Sequence, residues 1–355
     1  MKVLQITPTL CMGGAETMCE NLTNALIKSG VDVTVVSLYS KKTPISERLE
    51  DQGVKIIYLG KRNGLDLSMV GKLKKVFKEE KSDVIHTHNN TMQYAIPAAI
   101  LSGVKRRVHT VHSIAQKELG KFARKAASIF YRRHNLTPVA LSETVKKTVQ
   151  EVYQLPAEKI PVVFNGVDLN KCVVKTDYSS GDIFTIVHVG RFANEKNHIM
   201  LVKAFCAFHK QVKNSRLVLL GDGENRTKIE NCIKENLLED CVELAGIQPY
   251  VYGYLGAADI FTLPSHYEGI PLSLIEAMGT ALPIVATRVG GIPDMVKDGE
   301  SAILVDVDEN QLCDGFLRLY YDEALRKYIG ENALKASKKF SSQEMARKYI
   351  EIYES

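Results

Sequence analysis

The chain has 355 residues, of which 45% are hydrophobic and 25% charged, and a net charge of +5. That length exceeds one ordinary core and fits two domains, while the composition is ordinary for a soluble globular protein. No apolar stretch approaches the roughly 20 residues a membrane span needs, and the seven cysteines form no CxxC pair and read as reduced thiols.

The N-terminal run MKVLQITPTL is broken by Pro8, far short of a signal-peptide core. The expectation is a cytoplasmic chain, with peripheral attachment at the inner face of a membrane left open. Residues 1–165 carry 25 Lys and Arg against 14 Asp and Glu, and the remainder 21 against 27. A basic first half suits a membrane surface, a phosphorylated acceptor or nucleic acid.

Short apolar, β-branched runs alternate with helical patterns throughout, the mark of βαβ units and parallel sheets. In the first half the predicted strands are 3–7, 31–37, 55–59, 83–88, 107–111 and 139–141, with helices such as 15–28 and 67–79 between them. A second series follows residue 166, with strands at 184–189, 216–220, 242–244, 260–263, 283–286 and 302–305. The pattern therefore predicts two Rossmann-like domains, with ligand in the cleft between them beyond the carboxyl ends of the strands. The boundary falls in 163–180, where Asn165-Gly166-Val167-Asp168 makes a turn and 177–181 a polar linker.

Gly13-Gly14 follows the first strand and precedes a helix, where a bare backbone can approach a phosphate or sugar. A tight turn capping the helix explains the pair equally well. His86 and His88 alternate on one strand face like metal ligands, but no third ligand is marked, so no metal is expected there. His109 and His112 close the next strand, as active-site groups or as satisfied structural histidines. Residues 117–133 read as a helix with apolar residues among cations, suited to lying on anionic lipid with its aliphatic and aromatic face inserted, or to a plain surface position. Lys72, Lys74, Lys75 and Lys78 form a second cluster. Nucleic acid is not expected, because no helix-turn-helix, stacking motif or zinc pattern appears.

In the second half, His188-Val189-Gly190-Arg191-Phe192 ends a strand and Lys196 follows. Arginine grips phosphate through two N–H groups and lysine adds a point charge, so the pair can neutralise a departing diphosphate without a metal. Gly221-Asp222-Gly223-Glu224 lacks the third glycine of a dinucleotide fingerprint. The segment 264–279 is the most informative. Pro271 suits the first helical position and Gly279 the C-terminal cap, while Gly269 and the helix start offer free N–H groups to a phosphate. Glu268 and Glu276 then stand about 10 Å apart, from the roughly 1.5 Å rise per helical residue. That suits two separate sugar rings rather than one scissile bond, whose carboxylates stand roughly 5–9.5 Å apart. Asp306-Val307-Asp308 looks like a metal-binding DxD, but Asp308 also fits a helix N-cap, which is the preferred reading. Residues 341–353 read as an amphipathic helix.

These motifs resemble the GT-B glycosyltransferases, specifically the group-one family of retaining enzymes, and the resemblance spans essentially the whole chain. It implies two Rossmann-like domains with parallel sheets facing across a cleft, and a last helix that returns to the first. The domains would be 1–165 plus 341–355, binding acceptor, and 166–340, binding the nucleotide sugar. Carried over by position, Arg191 and Lys196 bind the donor diphosphate, Glu268 the donor-sugar hydroxyls and Glu276 the ribose. His112 stands beside the donor sugar, Gly14 approaches the diphosphate, and Gly190, Gly269, Ile270, Pro271 and Leu272 line the phosphates and sugar. Gly221 and Ile247 match nucleotide contacts more loosely. The implied reaction moves a sugar from a nucleotide-diphosphate donor, by preference a UDP-sugar, to a glycan or polyprenyl-diphosphate-linked acceptor, with retention, with no cofactor and no metal. Two alternatives stand beside it. A 2-epimerase-like enzyme would release UDP and isomerise the sugar without acceptor, and an inactive glycan-binding protein would do neither.

Overall fold

The structure is a computed structural model that describes residues 1–11 and 13–355; Met12 and the side chains of Lys117, Lys121 and Phe122 lie outside the described residues. The chain forms two compact units, Met1–Val167 with Ser342–Ser355, and Asp168–Ser341.

In the first unit β1 (Lys2–Thr7), β2 (Asp32–Ser37), β3 (Lys55–Tyr58), β4 (Val84–His88), β5 (Arg106–Val111) and β6 (Leu136–Ala140) form a six-stranded parallel sheet ordered β3-β2-β1-β4-β5-β6. The second unit repeats the design. Strands β7 (Phe184–Val189), β8 (Ser215–Leu220), β9 (Val242–Gly246), β10 (Ile260–Leu263), β11 (Ile284–Thr287) and β12 (Ile303–Val305) pair in the order β12-β11-β10-β7-β8-β9. Parallel neighbours cannot be joined by hairpins, so each connection returns outside the sheet, mostly as a helix. Strand order reverses between β1 and β4 in one sheet and between β7 and β10 in the other. Each sheet therefore has a crevice beyond the carboxyl ends of those two strands.

All twelve predicted strands are present, ten of them with shifted ends. The largest shift is β6, which starts at Leu136 rather than 139 and carries Pro138 inside it. A proline argues against a strand, but β6 is the sheet edge, where a missing N–H costs no ladder bond. The stretch 177–181, expected as a polar linker, is held within the second unit. Tyr178 is buried and donates its hydroxyl to the Ala281 carbonyl at 2.9 Å. Arg326, also buried, donates to the carbonyls of Tyr178, Leu319 and Tyr320.

The helix Ser342–Glu354 joins the core of the first unit, setting Met345, Ala346, Tyr349 and Tyr353 against Val3, Val84, Val108 and the helix Gly14–Lys28. A polar thread crosses that contact. His86 on β4 meets the Tyr353 hydroxyl through Nδ1 and Thr110 Oγ1 through Nε2, both at 2.7 Å, and the Tyr349 hydroxyl reaches Thr110 at 2.6 Å. Both ring nitrogens of His86 are thus committed to neighbours that are not metal ligands. On the helix Lys121–Arg133, Ala127 and Tyr131 are core residues and Phe130 packs on them. The face left outward carries Lys125, Ile129 and Arg133. Among the described side chains of this helix, Ala127, Phe130 and Tyr131 are therefore taken up by the core, and Ile129 is the large apolar one that stays exposed.

Replacing Tyr353 with Phe keeps the packing but leaves Nδ1 of buried His86 without a partner. The variant should lose about 1–3 kcal/mol of unfolding free energy, read as a lower urea midpoint, and a midpoint equal to wild type would show that the thread does not anchor the helix.

Candidate active site

The carboxyl ends of β7, β8, β10 and β11 bring most of the second-unit candidates together. The loop after β7 starts at Gly190, and a Cβ there would stand 2.9 Å from His188 Nε2. The loop after β8 presses on it so closely that a Cβ on Gly221, at φ +140°, would meet the Gly190 carbonyl at 2.0 Å, and one on Gly223 the Phe192 carbonyl at 2.6 Å. Backbone bonds Phe192 N–H to Asp222 O and Asn225 N–H to Phe192 O close this contact. The loop after β11 does the same to the loop after β10. A Cβ on Gly290, at φ +54°, would sit 1.8 Å from the Glu268 carbonyl, and one on Gly291 2.2 Å from that of Gly269.

Within this frame Lys196 Nζ donates to Glu268 Oε1 at 2.7 Å, and Ser265 Oγ donates to the same oxygen at 2.6 Å. Glu268 is buried, so the cation and the hydroxyl supply what water would otherwise give its carboxylate. Both bonds fall on one oxygen. Among the described residues no partner is recorded for Oε2, which is left to accept from a ligand.

Arg191 differs from Lys196. Its side chain is exposed and pairs with Glu195 at 2.9 Å, a bond that raises the guanidinium pKa further. The helix Leu272–Gly279 starts one residue later than expected, with Pro271 in the N-cap position and Thr280 rather than Gly279 as C-cap. The extended Pro271 backbone (ψ 123°) leaves the N–H groups of Leu272 and Ser273 without intrahelical acceptors. Ile270, just before it, is buried. Glu276 lies in the second turn, where burial pushes its carboxyl up to about 7, with Lys171 and the Tyr252 hydroxyl acting in the opposite sense. Ile247 follows β9 and is exposed.

His188 and His198, singled out in the sequence only as a strand residue and not at all, stand edge to face at 4.7 Å beside this loop. His188 is committed to the Thr262 carbonyl through Nδ1, and burial lowers its pKa to about 4. The Asp306-Val307-Asp308 stretch serves as a cap, Asp308 accepting from the Gln311 N–H at 2.9 Å. Among the described residues no group of three or more His, Cys, Asp or Glu is placed to hold a metal ion.

The first unit carries the other two candidates. Gly14 is the first residue of the helix Gly14–Lys28, and among the described residues nothing lies within 4 Å of a Cβ built on it. His112 follows β5, half-buried, with Nε2 3.0 Å from His88 Nδ1 and its backbone N–H donating to Glu118 Oε1 at 3.1 Å. His109 is turned to Thr87 and Glu118 and is wholly buried.

Ser265, Gly290 and Gly291 are the site-forming residues that sequence reasoning missed. The glycine pair in the loop after β11 is the signal that could have found two of them. Gly290→Ala combines a positive φ with a backbone collision and should cost more than about 2 kcal/mol in thermal or urea unfolding. Gly269→Ala, with nothing among the described residues within 4 Å of its Cβ, should stay within about 0.5 kcal/mol of wild type.

Two family profiles match consecutive parts of the chain: Glycosyltransferase Family 4 over residues 12–171 and Glycosyl transferases group 1 over 178–336. Among curated relatives, the UDP-Gal:alpha-D-GlcNAc-diphosphoundecaprenol alpha-1,3-galactosyltransferase of Escherichia coli is 30% identical over 283 residues, covering 73% of this chain and 72% of its own. The N-acetyl-alpha-D-glucosaminyl L-malate synthase of Bacillus anthracis is 28% identical over 306 residues, covering 81% and 78%. In fold the chain is similar to HepE of Anabaena, solved with UDP and glucose, at a TM-score of 0.86 with 19% identity and 100% of both chains covered. Two doubly wound units, the glycine-built loops and these matches lead to one family: the chain belongs to the group 1 glycosyltransferases and has the GT-B fold.

Proposed function

We propose that this glycosyltransferase moves a sugar from a UDP-sugar to a glycan or lipid-diphosphate-linked acceptor, with retention of anomeric configuration and without a metal. The observation that carries it is the set of groups around Lys196, where a mostly buried cation, a carboxylate with one open oxygen and a helix N-terminus occupy one end of a parallel sheet. A lysine ammonium has three N–H groups, and Glu268 takes one, which leaves two for the donor diphosphate. Oε2 of Glu268 accepts from donor-sugar hydroxyls, and the N–H groups at Leu272 and Ser273 face phosphate oxygens. Exposed Arg191 exchanges Glu195 for the diphosphate, a stronger bidentate partner. Glu276 receives the ribose hydroxyls, and His112 and Gly14 are the first-unit groups assigned to the same donor.

In the reaction, the bond from the anomeric carbon to the phosphate oxygen breaks with its electron pair on that oxygen. The acceptor oxygen bonds to the same face of the carbon and its proton passes to the departing phosphate. Lys196 and Arg191 stabilise charge that grows only as the bond breaks, so they serve the transition state more than the bound donor. The donor assignment is supported by the UDP-Gal specificity in the name of the E. coli relative and by HepE having been solved with UDP-glucose. The acceptor assignment is supported by that relative and by a Campylobacter jejuni enzyme, 30% identical over 224 residues, named for a diphospho-undecaprenol substrate. Among the described residues no helix is long and apolar enough to cross a membrane. Contact with an anionic surface would then use Lys125, Ile129 and Arg133, the outward strip of the helix Lys121–Arg133.

A panel of nucleotide sugars with a lipid-diphosphate-linked glycan, with and without EDTA, tests the reading through release of nucleoside diphosphate. The expected result is UDP release that needs acceptor and survives EDTA. Loss of activity in EDTA would overturn the metal-free reaction, and UDP release with sugar isomerisation in the absence of acceptor would favour an epimerase. Arg191→Ala should lower kcat, while Glu276→Ala should raise the donor KM.

The raised pKa of Glu276 adds a pH signature. A carboxyl with a folded value above its unfolded 4.5 favours the folded chain at low pH, and that contribution is lost as pH rises towards about 7. Ribose binding runs the other way, because the ionised form is the better acceptor. UDP affinity should rise about tenfold between pH 6 and 8, and Glu276→Gln should remove that part of the rise. A Gln variant with the same pH profile as wild type would take the ribose away from Glu276.

A further inference from the structure

A second buried polar assembly runs through the middle of the first sheet and ends at His112. Gln5 on β1 donates through Nε2 to Thr23 Oγ1 at 3.0 Å, and its Oε1 accepts from the Cys19 thiol at 3.3 Å. The same Oε1 lies 3.0 Å from His88 Nε2, and His88 Nδ1 lies 3.0 Å from His112 Nε2. Gln5, Cys19, Thr23 and His88 are sealed from solvent, and His112 is the half-buried end of the chain.

Each link has one consistent proton direction. An amide oxygen only accepts, so His88 must carry its proton on Nε2 to bond Gln5. A neutral imidazole with Nε2–H has a bare Nδ1, which can only accept, so the proton shared with His112 belongs to His112 Nε2. His112 is then left with a bare Nδ1. Burial first, and the neighbouring histidines second, hold both rings far below their usual pKa, which keeps each to a single ring proton. Among the described residues no group bonds to His112 Nδ1.

We propose that Gln5 and His88 are positioning residues that fix the tautomer of His112 and present its Nδ1 as a hydrogen-bond acceptor to a hydroxyl of the transferred sugar. This rests on the assignment of His112 to the donor sugar made above. Such a relay selects for a hydroxyl, a donor, and against a carbonyl or carboxylate at the same place, since a bare ring nitrogen repels another acceptor. It links specificity for the sugar to residues that never touch it.

The test is long-range proton–nitrogen correlation NMR on the full chain labelled with 15N-histidine, His112 being assigned by loss of its signals in His112→Gln. The expected wild-type spectrum shows His112 protonated at Nε2 and bare at Nδ1, and addition of a UDP-sugar shifts the Nδ1 resonance. Gln5→Met, similar in volume and without an amide, should give a mixture of tautomers at His88 and His112 and lower kcat/KM roughly tenfold, the value of one hydrogen bond to the sugar. A urea midpoint and backbone amide shifts close to wild type in Gln5→Met guard against a variant that folds poorly. A wild-type His112 protonated at Nδ1, or an unchanged tautomer in Gln5→Met, would overturn the relay. A correct tautomer whose Nδ1 resonance ignores the donor would instead overturn the assignment of His112 to the sugar, leaving the relay intact.

Discussion

The constraint on which everything else depends is parallel strand pairing. A parallel neighbour can be reached only by carrying the chain back over the sheet, so every loop that follows a strand gathers at one edge. In the second unit that edge brings 190–197, 221–225, 264–271 and 288–291 together although they lie up to a hundred residues apart in sequence. Space there is so limited that backbone packs on backbone. Glycines at 221, 223, 290 and 291 are required by that contact, because any side chain would lie within 2.6 Å of a carbonyl oxygen. These loops are rigid for a steric reason, and the groups they carry inherit the rigidity.

Rigidity matters because the central charge pair is mostly out of water. An exposed ion pair is worth little, whereas one removed from solvent holds its geometry only if its remaining valences are also met. Glu268 meets that condition on one oxygen with Lys196 and Ser265 and leaves the other unused. The site therefore bears the desolvation cost before a ligand arrives, which is the usual way an electrostatic site is preorganised. Arg191 is the counterexample within the same loop. Exposed and tied to Glu195 by a surface bond, it is free to reorient at little cost.

Legibility in the sequence followed the range of the interaction. Strands and their order of appearance were visible because side-chain periodicity is local, and the helix at 272–279 was visible from Pro271 and Gly279, one residue out of register. Pro138 hid the start of β6 because edge position is a property of the sheet and not of the segment. The cations and carboxylates were recognisable by type and spacing, but the bond between Lys196 and Glu268 spans 72 residues and the one between Gln5 and His88 spans 83. No local pattern encodes either. The stretch 177–181 reads as a linker for a related reason: its polar composition masks the one aromatic, Tyr178, that the second core takes in.

The two units also divide the electrostatic work in a way that composition alone obscures. The first has the larger excess of Lys and Arg, yet its interior is lined with histidines kept neutral by burial. The second has the acidic balance, yet its strand edge carries the two cations. Breaking a glycosidic bond builds positive charge on the sugar and negative charge on the departing phosphate. Cations belong at the phosphate, and a protonated imidazole beside the sugar would oppose the charge forming there. With His112 assigned to the donor sugar as proposed, burial that keeps its ring neutral also removes a positive charge that would oppose the charge forming on the sugar.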